Sequence, residues 1–150
     1  SDIIKLDKDI MSIQDFFKKI DYNKISIYLD IKGDHYICSY LHKFLSNIDI
    51  TNILIGSFNF ITLETLYNLN NSYNLGLITE NNMNNEILQY YIDKLDIAFV
   101  SYHWSVLDNR SINYLQNRNI LVFTYTCKDK NIENFITKYR VDGVVSNYKF

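Results

Sequence analysis

IYLDIKGDH, Ile27 to His35, runs a strand-forming segment into two carboxylates, a lysine and a histidine. Ile27, Tyr28, Leu29 and Ile31 carry the branched and aromatic side chains that suit a pleated, half-buried surface. Gly33 breaks that run, and from Ile37 the apolar residues change period. Ile37, Tyr40, Leu41, Phe44, Leu45 and Ile48 follow the i, i+3, i+4, i+7 pattern of one helix face. A strand therefore passes to a helix through a short polar turn, which is a β/α unit. Asp30 and Lys32 are two apart on an extended chain, so their side chains share one face. Asp34 and His35 fall where the helix begins. Asp34 is expected at the cap or in the first turn, where the helix dipole favours a carboxylate.

The same unit repeats along the chain. Strand candidates lie at 25–31, 52–58, 75–79, 97–102, 120–126 and 142–147, about every 22–27 residues. They are nearly continuous apolar runs, as expected when both faces of a sheet are covered. Ile87, Leu88, Tyr91, Ile92 and Leu95 have helical spacing, as do Ile132, Phe135, Ile136 and Tyr139. Ser12 is placed to cap an earlier short helix whose apolar face is Ile13, Phe16, Phe17 and Ile20, with Asp15 in its first turn. Asp108 or Asn109 is placed to cap the helix after the fourth strand. NLNNSYN and ENNMNN read as loops between units, so the chain is a single domain.

Strand–helix–strand connections predict a parallel sheet with right-handed crossovers. An open doubly wound sheet and part of a (β/α) barrel both satisfy that pattern. In either, ligands bind at the carboxyl ends of the strands. The candidate positions are then Asp30 and Lys32, Ser57 and Phe58, Thr79 and Glu80, Tyr102 to Trp104, Tyr125 to Cys127, and Ser146 and Asn147. Only Gly33 and Gly56 lie near strand ends, and neither GxGxxG nor a P-loop is present. A doubly wound nucleotide-binding fold would lack its phosphate device, which favours the barrel.

Composition narrows the function classes. The 150 residues are 47% hydrophobic and 21% charged, with a formal charge of −2, and Lys and Arg are scattered. That is a globular domain without the basic stripe a nucleic-acid partner would need. No apolar run approaches the ~20 residues of a membrane helix, and the opening SDIIKLDKD is too charged for a secretory leader. Cys38 and Cys127 are expected as reduced core thiols rather than one long-range disulfide, which points to an intracellular protein. The chain has no proline and is rich in Asn, Ile, Lys and Tyr. All four have AT-rich codons, so an AT-rich genome is expected, a large virus among its sources.

Five pieces in order resemble the glycerophosphodiester phosphodiesterase family, a TIM-barrel family of metal-dependent hydrolases. IMSIQDFF (10–17) is similar to the family's IPTLEEVL, and IYLDIK (27–32) to its LNIEIK strand, with Asp30 where the family has a metal-binding Glu. ILIGSFNFITLETL (53–66) resembles its ViisSFd…aL..L segment. ILVFTYTCKD (120–129) resembles GlrVyvWTVND, and VDGVVSNYKF (141–150) resembles VDGIITDyP. The resemblance covers nearly the whole chain but only about the last two-thirds of the family's barrel. It implies a partial (β/α) TIM-type barrel of about six parallel strands. It implies Asp30 as a ligand for Mg²⁺ or Ca²⁺, and Lys32, Phe58, His103, Trp104 and Tyr125 as groups facing a phosphodiester and its headgroup.

The departures decide what activity to expect. The family's His-Arg-Gly strand, Glu-Asn motif, second acidic strand end and His-Asp strand have no counterpart here. They supply the catalytic histidines, the arginine and most metal ligands. The family Trp is Tyr125, its Asn is Lys128 and its Thr-Asp is Ser146-Asn147. His35 and His42 lie on or before the helix after Lys32, so only His103 is placed at the mouth. Asp30 and Lys32 therefore read in two ways: a retained half of a metal-and-phosphate site, or a salt-bridged relic that fills the barrel. One carboxylate holds Mg²⁺ or Ca²⁺ weakly. His103 and Trp104 read as a pair for a choline-like cation or as a loop covering the core.

The expected function is an inactive member of the family with a structural or binding role. The alternatives are a metal-dependent phosphodiesterase completed by another chain, and an unrelated open α/β binding domain. Six parallel strands leave two open edges, so a homo-oligomer or a second chain is expected as partner.

Overall fold

A computed structural model describes residues 10–147. The SDIIKLDKD segment and the last three residues of the VDGVVSNYKF match lie outside the described residues. The elements follow in chain order: α1 (Ile13–Lys19), β1 (Ile27–Ile31), α2 (Ile37–Leu45), β2 (Ile53–Ser57), α3 (Phe60–Leu69) and β3 (Asn74–Thr79). They continue with α4 (Asn85–Leu95), β4 (Phe99–His103), a 3-10 turn (Trp104–Val106), α5 (Asn109–Gln116), β5 (Leu121–Cys127), α6 (Lys130–Ile136) and β6 (Gly143–Ser146).

The six strands form one parallel sheet in the order β1-β2-β3-β4-β5-β6. Sequential order is that of a barrel. A doubly wound sheet reverses direction at a switch point, so the expectation of an unrelated open α/β domain is overturned. The sheet curls into a partial TIM-type barrel.

Alternation along each strand divides the side chains between two layers. Ile53, Ile55, Leu75, Leu77, Val100 and Val122 face outward into a core with Leu45, Leu63, Leu66, Leu88, Leu95 and Leu115 of the helices. Each such side chain, fully buried, contributes roughly 1.5–3 kcal/mol. The concave face takes the alternate set. Tyr28, Phe99 and Phe123 meet there, with ring centroids 5.3 Å (Tyr28–Phe99), 6.1 Å (Tyr28–Phe123) and 5.4 Å (Phe99–Phe123) apart. Glycines make room for them. A Cβ at Gly76 would stand 2.2 Å from the Phe99 ring, and one at Gly143 2.5 Å from Phe123.

Helix starts follow their caps. Ser12 accepts from the Asp15 amide, Asn59 from Ile61 and Thr62, Asn84 from Ile87, Asp108 from Ser111, and Asp129 from Asn131 and Ile132. The α2 start differs from expectation. Tyr36 occupies the cap position and makes no side-chain cap bond. Asp34 contributes only its carbonyl, which accepts from the Ile37 amide at 3.3 Å. Gly33, at φ +127°, swings the chain into a turn before the helix can begin, so Asp34 lies two residues before the cap position. Cys38 and Cys127 are both buried and free.

Candidate functional site

The mouth of the half-barrel is built where strands end. Asp30 is the fourth of five β1 residues and opens onto the concave side, beyond Tyr28. Lys32 lies past the strand end. Its Nζ stands 3.4 Å from Asp30 Oδ2, with the two side chains 77% and 32% exposed. The expected pair is present, but it is open to water and not a buried filler of the barrel. Solvent screens such a pair strongly.

Tyr125 is the centre of the mouth. Its ring packs edge-on against Phe58 at 5.8 Å and His103 at 5.6 Å. Its hydroxyl donates to the Thr79 carbonyl at 3.0 Å, tying β5 to the end of β3. Burial raises its pKa, and the carboxylates of Glu80 and Asp30 push the same way. Both carboxylates thus act on one phenol. Phe58 is half exposed. His103 Nδ1 is 2.7 Å from Ser105 Oγ, so one ring nitrogen is held by its own turn.

Trp104 reaches this group through His103. It packs against the His103 ring at 5.4 Å on one side and Phe135 of α6 at 5.6 Å on the other, as a cover over the core. Other strand-end candidates are structural. Ser57 donates to the Ile31 carbonyl and accepts from the Asn59 amide, which joins β1 to the start of α3. Thr79 accepts from the Asn81 amide, and Ser146 donates to the Cys127 carbonyl. Tyr102 faces the helices and not the mouth; it is 1% exposed, and burial together with nearby Asp108 raises its pKa.

His35 stacks on Tyr36 at the surface, and His42 Nδ1 lies 2.8 Å from the Tyr73 hydroxyl just before β3, at the opposite end of the sheet. Neither reaches the mouth, as their sequence positions predicted. Concave-face residues escaped the sequence reading as site candidates, among them Tyr28, Phe99, Ser101 and Phe123. Tyr28 carried a signal: it lies two residues before Asp30 and must share its face. Burial pushes its phenol up to about 12. The Ser101 hydroxyl is near enough to act in the other direction, without making a well-formed hydrogen bond.

Asp30 and Glu80 are oxygen donors of the kind Mg²⁺ and Ca²⁺ prefer. Among the described residues no group of three or more His, Cys, Asp or Glu converges to hold a metal ion. The arrangement offers an aromatic wall, two carboxylates and one exposed ammonium.

The sequence profile of the Glycerophosphoryl diester phosphodiesterase family matches residues 5–149. None of the curated proteins matches the chain in sequence. Solved structures match its fold. A phosphodiesterase from Oleispira antarctica, solved in complex with the product sn-glycerol-3-phosphate, aligns with a TM-score of 0.77 and 18% identity over 91% of this chain and 57% of that one. A Galdieria sulphuraria protein assigned as a glycerophosphodiester phosphodiesterase gives 0.71 and 15%, over 89% and 57%. A Silicibacter pomeroyi protein assigned as a glycerophosphoryl diester phosphodiesterase gives 0.69 and 13%, over 82% and 47%. The chain thus spans about half the length of these structures. No helix among the described residues is long and apolar enough to cross a membrane.

Proposed function

We propose a function from one premise: this chain belongs to the Glycerophosphoryl diester phosphodiesterase family. On its own it is a catalytically silent half-barrel with a structural or binding role. One observation carries this reading: three of the polar groups at the mouth are already engaged with neighbours in the same chain. Asp30 pairs with Lys32, His103 with Ser105, and the Tyr125 hydroxyl with Thr79. Phosphodiester hydrolysis needs a positioned acid–base pair and a metal held by several ligands. As a binding surface, the mouth would hold a small phosphodiester weakly, with Lys32 at the phosphate and Phe58 and Tyr125 against the headgroup. The test is incubation with glycerophosphocholine or glycerophosphoglycerol plus Mg²⁺, Ca²⁺ or Mn²⁺. No turnover above the blank is expected. Turnover that disappears in Asp30→Ala would overturn the reading.

The second reading is a metal-dependent phosphodiesterase completed by another chain. The outer edges of β1 and β6, which pair with no strand among the described residues, favour it. Under this reading the missing acid–base groups and ligands arrive with the added strands, and Asp30 becomes one ligand of a shared site.

A further inference from the structure

On the helix side of the sheet, a cleft of about 500 Å³ opens where α4 and α5 begin. Asn82, Asn84, Asn85, Glu86, Asp108 and Arg110 line it, and the buried Ser111 forms its floor. A second cleft of about 490 Å³ shares Asn85 and Glu86 with the first and adds Tyr90 and Tyr114. The two make one groove along the seam of α4 and α5. None of these residues belongs to the mouth of the half-barrel.

The floor holds more acceptors than its own donor can serve. Ser111 Oγ lies 3.2 Å from Asp108 Oδ2, 3.3 Å from Asn82 Oδ1 and 3.4 Å from the Met83 carbonyl. Its single proton satisfies one of the three. Donors stand close by. Tyr102 projects from the outer face of β4, and α4 and α5 flank that strand in the chain, so its side chain points into their seam. The Tyr102 hydroxyl is buried and has no hydrogen-bond partner among the described residues. Burial raises its pKa, and the neighbouring Asp108 charge adds to the rise, so the phenol stays protonated and able to donate. Arg110, 89% exposed, brings a guanidinium to the rim, 3.6 Å from Asp108 Oδ1.

These groups select a class of ligand. A cation would meet Arg110 and the amino ends of two helices, and an anion would meet Glu86 and Asp108. A hydroxyl donates and accepts at once, so a neutral polyol serves open acceptors and an open donor together. The other half of the groove supplies an apolar wall. Tyr90 lines it and is 53% exposed, a flat surface for the C–H face of a sugar ring. We propose that this groove binds a neutral carbohydrate, with hydroxyls on Asn82, Asp108, Ser111 and the Tyr102 phenol and the C–H face of an adjoining ring on Tyr90. A peptide, whose donors and acceptors sit on separate groups, matches the floor less well.

The test is titration of the intact chain with maltotriose, cellotriose, mannotriose and chitotriose, followed by the NMR shifts of its backbone amides. At least one of these sugars is expected to bind at millimolar concentration and to move amides of residues 82–90 and 108–114. Tyr90→Ala and Tyr102→Phe are each expected to weaken that binding about fivefold or more. Urea unfolding separates binding from folding. Tyr102→Phe should unfold at the same urea concentration as the unmodified chain or a higher one, because it removes a buried hydroxyl that has no partner. Failure of every sugar overturns the proposal. So does binding indifferent to both variants, or shifts that gather around Asp30 and Tyr125 instead. Calcium, inorganic phosphate or triglycine moving the same amides at the same concentrations would show that the groove does not select a neutral polyol, and would overturn it as well.

Discussion

At the scale of single residues, the informative positions are glycines. Gly76 lies beneath Phe99, and its missing Cβ is the space the ring occupies. Gly76→Ala is expected to cost about 1–3 kcal/mol, the usual range for overpacking a filled interior. Urea unfolding measures it. The same substitution in a Phe99→Leu background should cost clearly less, because the ring it collides with is gone; equal costs in both backgrounds would refute the steric account. Nothing in the local sequence marks this role. NLGLIT reads only as a strand with a weak position, and the ring arrives 23 residues later through the pairing of Gly76 with Phe99. Asp30 was legible because its meaning is local: alternation puts it and Tyr28 on one face, and the chain turns immediately after Lys32. How exposed the Asp30–Lys32 pair is was not legible, because that depends on what stands opposite.

At the scale of elements, strand order was readable because each β/α unit brings its own period and connection. Boundaries were readable where a side chain sets them, as at Ser12 and Asp108, and misread at α2, where only main-chain bonds and the Gly33 turn do so. Helix α3 shows little periodicity because Phe60, Ile61, Leu63, Leu66, Tyr67 and Leu69 spread apolar surface around it. Its start therefore depends heavily on Asn59, whose side chain accepts from two amides. Asn59→Ala is expected to destabilise the protein by about 1 kcal/mol. Asn59→Asp should retain most of that stability. A loss as large for Asp as for Ala would show that the cap is not the reason. The same residue sits behind Ser57, whose hydroxyl joins β1 to this helix start, so the cap also braces the strand that carries Asp30.

At the scale of the whole molecule, curvature is the property no stretch of sequence displayed. It comes from rings of β1, β4 and β5 meeting across the concave face, contacts that exist only once the sheet has curled. Tyr28 is the bridge, and its phenol makes the curled state sensitive to alkali. Burial raises its pKa to about 12 in the folded chain, against about 10 when unfolded. Between those values the folded state holds a proton that the unfolded state has released. Stability from this group is therefore complete below about pH 10 and is lost as pH rises through about 12. The ring keeps some solvent contact, so the loss should reach up to about 2 kcal/mol rather than the full linkage value. Tyr28→Phe keeps the ring and removes the ionisation. Its urea midpoint should fall less between pH 9 and about 11.5 than that of the unmodified chain, with the remaining slope coming from Tyr102 and Tyr125, also raised by burial. Parallel pH profiles for the two proteins would mean that Tyr28 ionises as freely folded as unfolded. The concave face would then be open to water where the ring contacts place it closed.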